Sequence, residues 1–182
     1  MRWVTRYHVH VDRVACPWLI SKFVDRDAEF LFVPWPGLLP TREMGVPFDF
    51  PNTDFELGHH DGKCTFEAII EKYNVKDPWV KEMAKIVHAA DVASDIDKVP
   101  EARGVEAISA GFMYIVKDDY EALEKGFIIY DALYVYVQLR NIMERYKDEL
   151  AKIDRWKRFD FIKSHVKQPP KGKVKRPSTR KG

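Results

Sequence analysis

The N-terminal part of the chain combines two apolar, β-forming segments with a more helical stretch between them. Residues 3–11 alternate between apolar and polar side chains, residues 29–33 form a short apolar run, and both segments are predicted to be strands. Residues 15–24 are predicted to form a helix with Pro17 at its first position, where a missing N–H costs no helical hydrogen bond. This order predicts a right-handed βαβ unit.

The pattern changes to a helical period after a Pro-rich, irregular segment at 34–60, in which only a short strand near 48–50 is predicted. Apolar residues at helical spacing predict helices from Phe66 to Tyr73 and through Ala90, the second one capped by Asp77 and opened by Pro78. Further helices are predicted at 102–116 and from Asp118 or Asp119 to about residue 147. The fold class is therefore α+β, with a small N-terminal βαβ sheet packed on a predominantly helical body.

Charge is distributed unevenly and divides the chain into three parts. Residues 151–182 carry 12 Lys/Arg and 2 Asp/Glu, whereas residues 1–150 carry 18 and 26. We expect a domain at 1–150, a basic-aromatic helical extension at 151–166, and a flexible, disordered basic tail at 167–182 that is rich in proline. Such a tail binds nucleic acid non-specifically by releasing counterions, or it docks on the acidic body.

Other features limit the class of protein. The longest uncharged stretch is too short and too Pro-rich to span a membrane, and the chain opens without a signal-peptide pattern. Two cysteines do not make a disulfide framework, so a soluble cytoplasmic protein is expected. Scarce Asn and Gln beside abundant Lys and Glu give a thermophile-like composition.

Asp131 is the only charged residue between Gly126 and Arg140, in a segment that is apolar almost all round. A helix of this kind is buried, and a buried carboxylate needs a partner or a metal. Asp131 is predicted either to make a structural ion pair or capping interaction, or to belong to a functional site.

A group of metal-ligating residue types lies around residue 64. If a helix begins near His60, then His60, Cys64, Glu67 and Glu71 share one face, and His88, Asp91 and Asp95 share a face of the following helix. Imidazole, thiolate and carboxylate ligands suit a divalent transition metal. The alternative is that Cys64 packs as a small hydrophobic residue, Asp61 caps the helix and Glu67 is solvated.

A second candidate group surrounds Cys16. With a helix beginning at Pro17, the dipole of that helix would lower the pKa of the Cys16 thiol, and Arg13 would supply a fork for an oxyanion. Cys16 and Arg13 are therefore candidates for a redox or anion site, with Asp12 as buried polar support. The alternative is a buried Cys16 with Arg13 bridging to an internal carboxylate such as Asp131.

The order of several blocks resembles the C-terminal domain of the ChrB chromate-resistance family over residues 3 to about 137. The blocks are Trp3-Val4-Thr5-Arg6, Asp12-Arg13-Val14-Ala15-Cys16-Pro17-Trp18-Leu19-Ile20, Phe30-Leu31-Phe32-Val33-Pro34, Pro47-Phe48-Asp49, Cys64-Thr65-Phe66-Glu67, Ile86-Val87 with Ala90-Asp91, and Tyr130-Asp131-Ala132-Leu133-Tyr134. The resemblance implies a chromate-responsive regulator that accompanies a chromate efflux transporter. The family pattern has a single histidine where this chain has His59 followed by His60, and an arginine where it has His88.

The leading hypothesis is a ChrB-type domain that binds a metal or an oxyanion between the βαβ unit and the helical body. Arg13 and Cys16 would face the anion or redox partner. The polar interior would consist of His59 or His60, Cys64, Glu67, Asp91 and Asp131. The alternatives are a redox enzyme that acts on chromate or reactive oxygen species through the metal or Cys16, and a nucleic-acid-associated protein that uses the tail.

Overall fold

A computed structural model describes residues 1–177 and consists of a small parallel sheet with helices packed around it. The elements, in chain order, are β1 (Arg2–Arg6), α1 (Val11–Leu19, followed by a π-helical turn at Ile20–Val24), β2 (Glu29–Val33), β3 (Val46–Pro47), α2 (Thr65–Lys72), α3 (Pro78–Asp91), a 3₁₀ turn (Ala93–Asp95), α4 (Ala102–Phe112), α5 (Asp119–Arg145), α6 (Lys147–Lys152) and α7 (Arg155–His165). Among these described residues no helix is both long and apolar enough to cross a membrane.

The sheet has the order β2-β1-β3 within the described chain, and its strand pairs are parallel. Strand β1 pairs with β2 from Arg2 opposite Glu29 to Arg6 opposite Val33. Helix α1 is buried along its whole length and connects the two strands. The predicted βαβ unit and the predominantly helical body are both confirmed, and the core between them is filled by large side chains: Trp3, Trp18, Phe30, Phe66, Met83 and Leu123.

The first strand is shorter than its alternating pattern predicts, and the prediction that it reaches Val11 is wrong. His8 has a left-handed backbone (φ 65°), the Val9 amide donates to Asp119 Oδ1 (2.8 Å), and α1 begins at Val11. Pro17 therefore lies inside α1 and not at its first position. Pro17 has no N–H and so donates no backbone hydrogen bond within α1. After Leu19 the helix continues as a π-helical turn at Ile20–Val24.

Local capping signals gave the most accurate helix boundaries. Asp77 Oδ1 accepts from the amides of Trp79 and Val80 (2.9 and 3.0 Å), and Pro78 opens α3 as predicted. Asp118 caps α5 by accepting from the Glu121 amide (2.8 Å). Helix α4 ends at Phe112, before the predicted residue 116.

The first part of the basic tail lies along the body. The Phe30 amide donates to the Lys175 carbonyl (3.1 Å), Lys22 Nζ donates to the Pro170 carbonyl (3.1 Å), and Gln138 Nε2 donates to the Lys167 carbonyl (2.8 Å). These contacts of Lys167, Pro170 and Lys175 are those that the docking alternative predicts. That residues 167–182 form a disordered tail stays a prediction. The remainder of the predicted tail, 178–182, lies outside the described residues.

Candidate functional site

The first turn of α1 places a buried carboxylate under the start of α2. Asp12 is 1 % exposed, and its Oδ2 accepts from the amides of Thr65 (2.7 Å) and Phe66 (3.4 Å). The free N–H groups of a helix N-terminus favour a negative charge at this position. The other oxygen, Oδ1, is buried and has no hydrogen-bond partner among residues 1–177.

A second buried carboxylate, Asp49, joins the loop after β3 to both β1 and α1. Its Oδ2 accepts from Arg13 Nη1 (2.7 Å) and Arg6 Nη2 (3.4 Å), and its Oδ1 accepts from Thr65 Oγ1 (3.2 Å). Arg13 is fixed further because its Nη2 donates to the His8 carbonyl (2.8 Å). The backbone of Asp49 is left-handed (φ 55°), a conformation that is held where surrounding contacts compensate for its strain.

His59 is the point at which three carboxylates converge. Its Nε2 lies 3.0 Å from Asp91 Oδ2, 3.6 Å from Asp49 Oδ1 and 3.7 Å from Asp12 Oδ2. The hydrogen-bonding carboxylates of Asp49 and Asp91 raise the pKa of His59 to about 10. A loop residue is thereby tied to the start of α1, to the end of α3 and to the loop that follows β3.

Burial and neighbouring charge act in opposite directions on the two buried acids. Burial raises the pKa of Asp12 well above its ordinary range, and the negative charges of Asp91 and Asp49 raise it further. Burial would also raise the pKa of Asp49, but hydrogen bonds from His59 and Arg13 lower it below its ordinary value. Asp49 is therefore the ionised partner of the arginines, whereas at Asp12 burial and neighbouring charge favour the protonated form more than at an exposed aspartate.

The two arginines, His59, Asp49 and Asp91 line a cavity of about 470 Å³, and Asp12 lies outside this lining. Two of the three cationic side chains reach further into solvent than their acidic partners, whereas the side chain of Arg13 is only 10 % exposed. Arg6 is 28 % exposed and Asp49 only 5 %. His59 is 46 % exposed against 13 % for its partner Asp91. The cavity lining consists of Arg6, His10, Arg13, Asp49, Phe50, Pro51, Asn52, Thr53, His59, His60 and Asp91.

A larger cavity, of about 850 Å³, lies between α3 and α5. Several of its charged lining residues are already engaged in surface ion pairs, such as Lys85 with Glu82 (2.7 Å) and Arg140 with Glu101 (3.0 Å). The smaller cavity is therefore the stronger candidate site, because buried, strained and convergent polar groups lie beneath it.

A second cluster lies on the other side of the α2 N-terminus. Glu67 Oε2 accepts from the Cys64 amide (3.0 Å) and is 2.6 Å from His88 Nδ1, while His88 Nε2 is 3.0 Å from Asp95 Oδ2. Burial by itself would lower the pKa of His88, but its hydrogen bonds to Glu67 and Asp95 raise it. Ligand atoms of Cys64, Glu67 and His88 all lie within 4.8 Å of one another.

The predicted metal-ligating residues are therefore divided between two places. His59 and Asp91 join Asp12 and Arg13, whereas Cys64 and Glu67 join His88 in the second cluster. The prediction that His60 shares a helix face with Cys64 is wrong, because α2 begins only at Thr65, after a turn with left-handed residues at Asp61 and Gly62. His60 is exposed, and its Nε2 lies 2.7 Å from the Phe55 carbonyl.

Cys16 lies inside α1, and the prediction of a lowered thiol pKa is wrong. The residue is fully buried, which raises the pKa of its thiol well above the ordinary value, and the charges of Asp12 and Asp49 raise it further. The favourable position at a helix N-terminus does not exist because α1 begins five residues before Cys16.

Asp131 lies outside both the cavity and the second cluster. The prediction that it is buried is wrong, since its side chain is 37 % exposed, but it makes the structural ion pair that was the first of its two predicted roles. Its Oδ1 accepts from Trp18 Nε1 (2.7 Å) and is 2.9 Å from Lys22 Nζ. The alternative of a buried Cys16 with Arg13 bridging to an internal carboxylate is confirmed, but that carboxylate is Asp49 and not Asp131.

Sequence reasoning assigned no role to Asp49 or Arg6. One signal in the chain was available for the acid: Asp49 lies between two buried aromatic residues, Phe48 and Phe50, in a segment that is otherwise irregular. An acid in such a position needs a buried partner. Arg6 carried no comparable signal, since an arginine at the end of a strand is ordinarily solvated.

The fold and the cavity define a mixed α+β domain in which a small parallel sheet and α1 hold buried acids and the buried Arg13 beneath the more exposed side chains of Arg6 and His59. Residues 3–137 match the family described as ChrB, C-terminal domain, and the chain belongs to that family. The predicted resemblance is confirmed, and membership associates the chain with chromate resistance.

Protein ChrB of Cupriavidus metallidurans (strain ATCC 43123 / DSM 2839 / NBRC 102507 / CH34) is 32 % identical over 136 residues, which are 74 % of this chain and 40 % of that protein. The chain thus spans less than half the length of this curated relative. No solved structure matches the chain.

Proposed function

We propose that this domain is the oxyanion-responsive module of a chromate-resistance regulator and that the 470 Å³ cavity takes up a tetrahedral dianion such as chromate. The observation that carries the proposal is the layered arrangement of charge. Guanidinium groups of Arg6 and Arg13 and the imidazole of His59 line the cavity, while the carboxylates that position them lie more deeply buried. Arginine stays charged at physiological pH and offers paired donors that match oxyanion geometry.

The buried acids make the site pre-organised. Arg13 is held from two sides by Asp49 and the His8 carbonyl, and His59 is held by Asp91. Donors fixed in this way lose little conformational freedom when an anion binds. The thiol of Cys16 lies within α1 and does not line the cavity, so the proposal assigns it no part in binding.

A regulatory role follows from the shared partners of Asp49. This carboxylate contacts both Arg13 in α1 and Thr65 at the start of α2. An anion that accepts hydrogen bonds from the fixed guanidinium groups of Arg6 and Arg13 competes with Asp49 for their donors. Binding would thereby alter a contact that connects β1, α1 and α2, which is the differential interaction that a ligand-driven switch requires.

The test is equilibrium binding of chromate to protein without an affinity tag, with sulfate as a competing tetrahedral dianion. Arg6→Gln removes a cavity donor, and Arg42→Gln, at an exposed loop position, is the matched control. Loss of a charged hydrogen bond weakens binding by about 10- to 100-fold. Equal affinity of the two variants, or no binding by the unmodified protein, would contradict the proposal.

A second candidate function, a divalent cation site formed by Asp12 with Asp49 and His59, is favoured by the buried Oδ1 of Asp12, which has no hydrogen-bond partner within residues 1–177. Ligand atoms of Asp12, Asp49 and His59 lie within 4.8 Å of one another, and carboxylate-rich sites suit Mn²⁺ or Fe²⁺. Mn²⁺ binding measured by electron paramagnetic resonance separates the two functions. Asp12→Asn should weaken only Mn²⁺ binding, Arg6→Gln only chromate binding, and His59→Gln both.

A further inference from the structure

The second cluster, formed by Cys64, Glu67 and His88, is separate from the anion cavity and combines three different kinds of metal ligand. Cys64 immediately precedes α2, Glu67 lies in the first turn of α2, and His88 lies in the last turn of α3. The start of one helix and the end of the next therefore bring a thiol, a carboxylate and an imidazole within 4.8 Å of one another.

We infer that this cluster is a binding site for a divalent transition metal of the zinc class. A thiolate is a soft ligand that selects Zn²⁺ or Co²⁺ over Mg²⁺ and Ca²⁺, and imidazole suits the same ions. Neither the anion cavity nor its cation alternative uses these three side chains. The inference is therefore independent of the proposed function.

The imidazole is already oriented as a metal ligand. His88 Nε2 lies 3.0 Å from Asp95 Oδ2, and Lys98 Nζ in turn lies 2.6 Å from the same Asp95 oxygen. A histidine that ligates a metal commonly donates its other ring nitrogen to a carboxylate, which fixes the tautomer. With Nε2 committed to Asp95, Nδ1, which is hydrogen-bonded to Glu67 at 2.6 Å, is the nitrogen that would bind the metal.

The dimensions require only a small adjustment. Ligand bonds of about 2.0–2.3 Å to a tetrahedral zinc ion place the ligand atoms about 3.4–3.7 Å apart. The Glu67 to His88 hydrogen bond of 2.6 Å would open when the ion replaces its proton, and the other separations start within 4.8 Å. Three protein ligands leave a fourth position for water or an exogenous ligand.

Access to the cluster is from the side of its carboxylate. The side chains of Glu67 and His88 are 31 % and 17 % exposed, whereas Cys64 is fully buried. An ion can therefore reach the two outer ligands from solvent and complete its shell with the inner thiol. The shell would fasten α2 to α3 next to Thr65, the residue whose amide Asp12 binds.

Co²⁺ and Zn²⁺ titrations of full-length protein without an affinity tag test the inference, because a Co²⁺–thiolate bond gives a near-ultraviolet charge-transfer band. The chain offers a matched control, since Cys16 is equally buried but is not part of the cluster. One equivalent of Co²⁺ should bind with this band and be displaced by Zn²⁺. Cys64→Ser should abolish the band, whereas Cys16→Ser should leave it unchanged.

The variant Asp95→Asn tests whether the Asp95 carboxylate orients His88, because it leaves all three proposed metal ligands in place. Loss of such a carboxylate partner weakens metal affinity by about 10- to 100-fold, so the band should remain at saturation while the midpoint moves to higher Co²⁺. If Cys64→Ser does not fold, as judged by circular dichroism, His88→Gln takes its place because that residue lies nearer the surface. Binding without a thiolate band, a band that survives Cys64→Ser or His88→Gln, or no binding would each overturn the inference.

Discussion

His59 Nε2 lies 3.0 Å from Asp91 Oδ2, which links a loop residue to the last residue of α3 across 32 positions of sequence. The same nitrogen faces Asp12 and Asp49, so one imidazole neutralises a group of acids that would otherwise repel one another. Asp12 and Asp49 in turn hold α1, α2 and Arg13 in place. Protonation of His59 therefore affects more structural elements than protonation of any other residue of the site.

The first prediction concerns the pH dependence of stability in metal-free protein. The pKa of His59 is raised to about 10 from an ordinary value of 6.5, so protonated His59 stabilises the folded state. Its contribution is complete below about pH 6.5 and is lost as the pH rises through about 10. Urea unfolding across this range should show a free energy of unfolding that falls with pH more steeply than in His59→Gln. Parallel curves for the two proteins would contradict the assignment.

The second prediction tests the contact between α1 and α5. A Cβ atom added at Gly126 would lie 2.5 Å from Val14 Cγ1, so Gly126→Ala should destabilise the protein by about 1–3 kcal/mol through overpacking. Gly104 in α4 is the matched control, since a Cβ atom there meets nothing within 4 Å among the described residues. Gly104→Ala should stabilise by about 0.5–1 kcal/mol. Thermal and urea unfolding measure both changes, and equal effects would contradict the packing.

The third prediction separates Asp131 from the functional sites. Asp131→Ala removes the acceptor for Trp18 Nε1 and leaves Lys22, whose side chain is 6 % exposed, without its carboxylate. We expect a loss of about 1–3 kcal/mol in the free energy of unfolding. Chromate and Co²⁺ affinities should stay unchanged at a temperature where the variant is folded. The exposed Asp54→Ala serves as control for stability, and a binding defect in Asp131→Ala would restore the functional role.

The fourth prediction concerns the basic tail. Lys175 pairs with Asp27, Arg176 pairs with Asp118 at 3.0 Å, and Arg176 stacks over Tyr120 at 4.4 Å. Truncation after Val166 should therefore lower the free energy of unfolding, because the Lys22, Phe30 and Gln138 contacts disappear with the tail. The loss should shrink at high salt, since the exposed ion pairs are screened.

Nucleic-acid binding by the tail stays a prediction and is measured with the same truncation. Titration with DNA and RNA at low and moderate salt should show weak, non-specific binding that the truncated protein lacks. Lys175 and Arg176 must leave Asp27 and Asp118 before they can contact phosphate. The double variant Asp27→Asn and Asp118→Asn should therefore bind nucleic acid more strongly. Equal affinity of full-length and truncated protein would exclude the tail as the nucleic-acid contact.

The sequence by itself determined the features that depend on neighbouring residues. The Asp77-Pro78 signal placed the start of α3 and Asp118 the start of α5, because a cap is a hydrogen bond between residues two or three positions apart. Strand β2 and the α+β class followed from hydrophobic periodicity, and the family followed from the order of blocks over 3–137.

Only the tertiary structure decided which charged groups meet. Arg13 and Asp49 are 36 positions apart, and no local period relates a residue in α1 to one in a loop after β3. The wrong prediction of a lowered Cys16 pKa has a related origin. The alternating pattern through residue 11 predicted a continuous strand, whereas the backbone at His8 is left-handed and α1 begins at Val11. The packing of helices and strands determines which polar groups meet in a buried cluster. It places carboxylates next to cations that are distant in sequence, and these cations offset the cost of desolvating the carboxylates.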